Sequence, residues 1–139
     1  MAEHEPDSND LKGRVFPGIG ELMGIKIIDY SEGEATLEME IDERFWNPTG
    51  IAHGGVFCDL ADAAFGVTFF STLNEGEAFT TINLQINFLK SIKKGKITAK
   101  ARMIRRGRRV GFMECEVSDS EGNLLANATS ACLVIQRNL

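Results

Sequence analysis

The run from Gly54 to Leu73 constrains the fold more than any other part of the chain. It contains no proline, is rich in Ala, Leu and Phe, and carries only two charged residues, Asp59 and Asp62. That composition predicts a helix ending ahead of Asn74 and Gly76, despite the helix-weakening Val56, Val67 and Thr68. Its apolar residues fall on nearly every side, so the helix has to be enclosed by the rest of the fold. The two carboxylates interrupt it too soon for a membrane span.

The enclosing material reads as sheet. Ile25 and Ile27, then Ala35, Leu37, Met39 and Ile41, alternate with polar residues across Ser31-Glu32-Gly33 and predict a hairpin. After the helix come four more alternating runs: Thr80 to Phe88, Ile97 to Met103, Val110 to Val117 and Leu124 to Ile135. Lys94-Gly95 and Asp119 to Asn123 supply turns, and Asp42 to His53 is a connecting loop. The order of hairpin, long helix and antiparallel strands is an α+β arrangement in which five to six strands curl around one central helix.

With 139 residues, 43% of them hydrophobic, the chain suits one domain over residues 11–139. The acidic, polar residues 1–10 read as a disordered tail without the basic start and apolar core of a secretory signal. Leu11 to Met23, broken by Pro17, Gly18 and Gly20, holds a short helix or only turns. A net charge of -5 argues against a nucleic-acid partner, although the run from Lys90 to Arg109 is basic and lacks acids. Cys58, Cys115 and Cys132 lack metal or redox spacing and read as buried or semi-buried thiols in a reducing cytoplasm.

Chemistry concentrates at the start of the long helix. Two adjacent glycines, Gly54 and Gly55, leave backbone N–H groups uncovered there, and the helix dipole adds to their pull on a carbonyl oxygen. Gly54 suits an oxyanion donor, because the missing side chain lets a substrate approach. Asp59 and Asp62 follow as candidate bases, about 60° apart around the helix.

With the stretch Asn47, Gly50, His53, Gly54 and Gly55, then Leu60 and Asp62, the strand Thr81 to Leu89, and Gly107-Arg108, the chain resembles the hotdog-fold acyl-CoA thioesterases. The likeness runs from about Gly24 to Ile135 and is strongest to the phenylacetate-pathway branch. It implies hydrolysis of an aryl- or medium-chain acyl-CoA in an oligomer built from dimers, with no metal or redox cofactor and coenzyme A entering as part of the substrate. It selects Asp62 over Asp59 as base or nucleophile, assigns the Asn47 amide to the water or carbonyl, and matches Thr81 to a hydroxyl assisting the acid. Strand alternation alone leaves Thr80 and Thr81 both open. Ser91 stands where this branch often has proline, and Asp62 replaces the Glu of the hydroxybenzoyl-CoA and menaquinone-pathway relatives.

Eight residues separate Gly54 from Asp62, a displacement of about 12 Å along a helix, too far for both to act on one thioester. Both can act only if they come from different chains, which predicts a homodimer with composite sites, and the resemblance points to such dimers assembling further, into a tetramer. Substrate-binding candidates are His53 and Gly55 at the helix start and Lys90, Arg105, Arg106, Arg108 and Arg109 for CoA phosphates. His53 has no Ser or Cys partner and reads better as a residue that fixes the loop by hydrogen bonds. Phe45, Trp46, Phe57, Phe65, Phe69, Phe70 and Phe79 line an acyl pocket or belong to the core. A non-catalytic acyl-CoA sensor and a hotdog hydratase are the competing readings.

Overall fold

The computed structural model describes residues 10–137. The expected tail therefore lies outside the described residues up to residue 9. The elements are α1 (Ile19–Met23), β1 (Lys26–Ser31), β2 (Glu34–Ile41), a 3-10 turn (Glu43–Phe45), α2 (Gly54–Phe70), β3 (Glu77–Phe88), β4 (Gly95–Arg106), β5 (Val110–Asp119) and β6 (Leu124–Gln136). All six strands form one sheet in the order β1-β2-β4-β5-β6-β3, antiparallel at every seam. The anticipated hairpin, long helix and four trailing strands are all present. No helix among the described residues is long and apolar enough to cross a membrane.

Alternation builds the inner face. Leu37 and Met39 on β2, Ile97 and Ala99 on β4, Met113 and Val117 on β5, and Ala126 and Cys132 on β6 are buried against Leu60, Ala64, Phe65 and Phe69 of α2. Alanines on the sheet leave room for the helix phenylalanines, each worth about 1.5–3 kcal/mol when fully buried. Phe57, Phe65 and Phe69 thus belong to the core, whereas Phe70 is exposed.

Two expectations about α2 are corrected. The helix ends at Phe70, three residues before Leu73, because Thr72 and Leu73 donate to carbonyls three residues back in tighter turns. Enclosure is also incomplete. Gly55, Cys58, Asp59, Asp62, Gly66 and Phe70 form a half-covered to exposed stripe along one flank, while the rest of the helix beyond the half-covered Gly54 is buried. An apolar pattern registers burial without saying which chain supplies the cover.

The open flank faces β3, an edge strand exposed along most of its length. β3 begins at Glu77, three residues earlier than the expected Thr80, and its pairing with β6 shifts between Thr81 and Asn83. The bulge at Ile82 changes the face count. Thr81 pairs with buried Cys132 and therefore shares the helix side with Leu84, Ile86 and Phe88, whereas simple alternation placed it opposite them. Thr80, paired with exposed Leu133, lies on the outer face.

Candidate active site

The loop before α2 is fastened at several points. Asn47 Oδ1 accepts from the Thr49 amide (3.0 Å), the Thr49 hydroxyl (2.7 Å) and the Ile51 amide (3.4 Å), and Gly50 closes the turn at φ 81°. The Ala52 amide donates to Ile92 O, the His53 amide to Phe45 O, and Trp46 Nε1 to Lys93 O. Asn47 thus shapes the loop through its oxygen and leaves Nδ2 to act elsewhere.

His53 is the N-cap of α2. Its Nδ1 accepts from the Gly55 amide at 3.0 Å, and its carbonyl accepts from the Val56 amide at 3.0 Å. The Gly55 N–H is therefore occupied, which removes it from the candidate substrate donors. The Gly54 N–H alone at this helix start has no acceptor among the described residues. The loop-fixing reading of His53 holds, and its Nδ1 is occupied in the cap.

Asp62 sits two turns along on the open flank, exposed in the single chain. Although the residue is exposed overall, partial cover of its carboxyl by the helix surroundings raises its pKa, and the charge of Asp59 raises it further. Asp59, raised by burial alone, is half-covered on the same flank. Cys132 Sγ lies 3.9 Å from Thr81 Oγ1 and also feels the Asp62 charge, so Thr81 and Asp62 belong to one neighbourhood. Burial pushes all three thiols up, Cys115 to about 12, which leaves none activated as a nucleophile.

α2 runs as one regular helix from Gly54 through Asp62, so the separation of about 12 Å stands. One chain therefore carries two separate fragments. Gly54, His53 and Asn47 stand at the helix start, and Asp62 stands with Thr81 further along.

The basic residues do not form one cluster. Lys90 follows β3 at its Phe88 end, where its amide donates to Leu125 O, whereas Arg106, Arg108 and Arg109 lie beyond the opposite end of that strand. Twelve strand residues, about 40 Å, separate the two ends. Arg105 is exposed on the outer sheet face opposite Phe112. Arg106 is committed to the fold: it pairs with Glu77 at 2.9 Å, donates from Nε to Thr72 Oγ1 at 3.1 Å, and stacks over Phe69 at 5.1 Å. It is corrected from a phosphate ligand to a structural cation. Arg108 and Arg109 are exposed and line an open cleft of 1320 Å³ that also includes Arg102, Gly107 and Gln136.

Phe88 was not foreseen at the site. Its ring rests on Gly54; alternation already sets Phe88 on the face of Leu84 and Ile86, but its contact with the helix start is a tertiary one that the sequence does not signal.

Comparison with known proteins identifies the family and the fold. Residues 49–126 match the family model described as the Thioesterase superfamily. The 1,4-dihydroxy-2-naphthoyl-CoA hydrolase of Listeria monocytogenes is 30% identical over 78% of this chain and 88% of its own length. Among solved structures, a mutant thioesterase from Pseudomonas aeruginosa superposes with a TM-score of 0.81 at 25% identity, covering 86% of this chain and 87% of that one. The PaaI protein from the phenylacetic acid degradation operon of E. coli gives 0.80 at 26% identity, covering 86% of both chains. A matched segment holding both Gly54 and Asp62, on a sheet that wraps one helix, makes this chain a hotdog-fold thioester hydrolase that belongs to the Thioesterase superfamily.

Proposed function

We propose that the protein hydrolyses aryl- or medium-chain acyl-CoA thioesters at composite sites in a homodimer. The observation that carries this reading is the single unpartnered N–H at Gly54, set about 12 Å from a helix carboxylate of raised pKa. Gly54 of one copy donates to the thioester carbonyl, and Asp62 of the other takes a proton from water as its oxygen bonds to the carbonyl carbon. The tetrahedral oxyanion is held by the Gly54 N–H until the C–S bond breaks. The thiolate leaves with the proton from Asp62, giving free acid and CoA. Asn47 Nδ2 and the Thr81 hydroxyl orient water and carboxylate, and the scheme calls for no metal or redox cofactor.

Antiparallel addition of a second β3 to the open β3 edge supports the composite site. Paired about Leu84 and Gln85, such a seam sets Phe88 of one strand opposite Thr81 of the other. Gly54 lies at the first and Asp62 at the second, so each copy completes its partner's site. The same pairing brings Lys90 of one copy toward Arg108 and Arg109 of the other, where they hold CoA phosphates. Pairs of such dimers form the tetramer. The three unpaired thiols suit a reducing cytoplasm.

Thiol release from a panel of aryl and aliphatic acyl-CoA esters tests the activity. Mixing Gly54→Pro with Asp62→Asn chains tests the shared site, because one intact site per heterodimer should regain part of the lost turnover. No recovery in verified heterodimers would overturn the composite arrangement.

A further inference from the structure

Phe88 closes β3 beside the open donor. Were Gly54 to carry a Cβ, it would stand 2.9 Å from Phe88 Cζ and 3.1 and 3.4 Å from Cε1 and Cε2. The N and Cβ positions of one residue are about 2.5 Å apart, so the ring tip lies within about 5.5 Å of the Gly54 nitrogen. Phe57, buried in the core, backs the ring at 6.2 Å between centroids and 49° between planes. Phe88 itself is 56% exposed, a large apolar surface left open at the mouth of the site. Core packing does not account for a ring so placed.

A carbonyl oxygen held by the Gly54 N–H sits about 2.9 Å from the nitrogen. The carbon next to that carbonyl and the ring tip then both lie within about 5.5 Å of one nitrogen. We propose that Phe88 is a specificity-determining residue: lodged between Gly54 and Phe57, its ring admits acyl groups that are unbranched or planar at the carbon next to the carbonyl and rejects those with a tetrahedral branch there. The proposal rests on Gly54 being the carbonyl donor. It assigns the choice of acyl shape to β3 and not to the helix that carries the chemistry.

The test compares kcat/KM for two matched pairs: hexanoyl-CoA with 2-methylpentanoyl-CoA, and phenylacetyl-CoA with 2-phenylpropanoyl-CoA. Phe88→Ala should raise the branched-to-straight ratio about tenfold or more, the scale on which one methyl group is discriminated in a pocket. Phe88→Leu, which keeps apolar cover over Gly54, should fall between and serves as the readout if the alanine variant is poorly folded. Calorimetric binding of CoA thioethers bearing a ketone, straight or branched beyond the carbonyl, should show the same change in ratio. An unchanged ratio in folded Phe88→Leu and Phe88→Ala, by turnover and by binding, overturns the proposal. Wild-type protein that binds the thioethers but cleaves no thioester overturns the thioesterase reading instead, and the binding ratio still decides the role of Phe88.

Discussion

At its C-terminal end α2 ties most of its polar groups into the fold, although the buried Thr68 Oγ1 has no partner among the described residues. The Ser71 hydroxyl donates to Thr68 O and accepts from the Gly33 amide of the β1–β2 turn, and the Thr72 hydroxyl donates to Phe69 O and accepts from Arg106 Nε. Arg106 is in turn paired with Glu77, whose carboxylate also accepts from the Asn74 amide. At its N-terminal end one donor, the Gly54 N–H, is left open while its neighbours are capped by His53. A helix terminus normally finds partners for its stranded groups. The difference separates an end tied into the fold from an end that leaves one donor free, the donor that the proposed mechanism uses.

The largest expected effects strike the open side. Asp62→Asn should lower kcat by about two to four orders of magnitude, the usual range for losing a general base. Near-normal thiol release from that variant would remove Asp62 from the mechanism. Gly54→Pro should cost about 10²–10³ in kcat, because it deletes the free N–H. Proline is tolerated at the first helical position, and His53 already has the extended backbone (φ -64°, ψ 137°) that precedes proline, so the melting temperature should hold. Gly54→Ala keeps the donor and only displaces the tip of the Phe88 ring, so its loss should be smaller. Equal losses in the two variants would mean that space at Gly54 matters and its N–H does not.

The arginines sharpen the contrast. Arg106→Ala should lower the melting temperature by about 5 °C, because Glu77, Thr72 and Phe69 all lose a partner. The double variant Arg108→Ala/Arg109→Ala should melt like wild type and raise KM for acyl-CoA about tenfold while kcat holds. Thermal denaturation and steady-state kinetics on the same preparations decide this, and exchanged outcomes would reverse the assignments. A lesser change follows at the cap. His53→Ala should cost about 1 kcal/mol of stability and His53→Asn much less, since an Asn oxygen can accept from the Gly55 amide.

What could be read from the sequence tracks how local each determinant is. The donor end of α2 was legible because adjacent glycines ahead of an apolar helix act through their own backbone. The strand faces of β2, β4, β5 and β6 were legible because alternation is a local pattern. The bulge at Ile82 was not, since isoleucine suits either face and no glycine marks the irregularity. The role of Arg106 was hidden for a different reason. Its partners Thr72 and Glu77 lie 34 and 29 residues earlier, so a basic run looked uniform where the fold ties Arg106 down and leaves Arg108 and Arg109 exposed.

The carboxylates on the open flank give the smallest and most diagnostic effect. Asp62 has a raised native pKa, first through burial and then through Asp59, so the folded protein keeps this proton at a pH where the unfolded chain has released it. The stability contributed by that protonated group is present below the ordinary value of 3.8 and is lost as pH rises through the native value. At neutral pH the fold carries a carboxylate that would be better solvated in the unfolded chain, and Asp62→Asn should therefore melt slightly higher than wild type. Asp59→Asn removes the second cause and leaves the first. It should shift the acid limb of the kcat profile to lower pH without abolishing turnover, since a base of lower pKa ionises earlier. An acid limb that stays in place would show that Asp59 does not tune the catalytic carboxylate, and an acid limb that vanishes would make Asp59 the base.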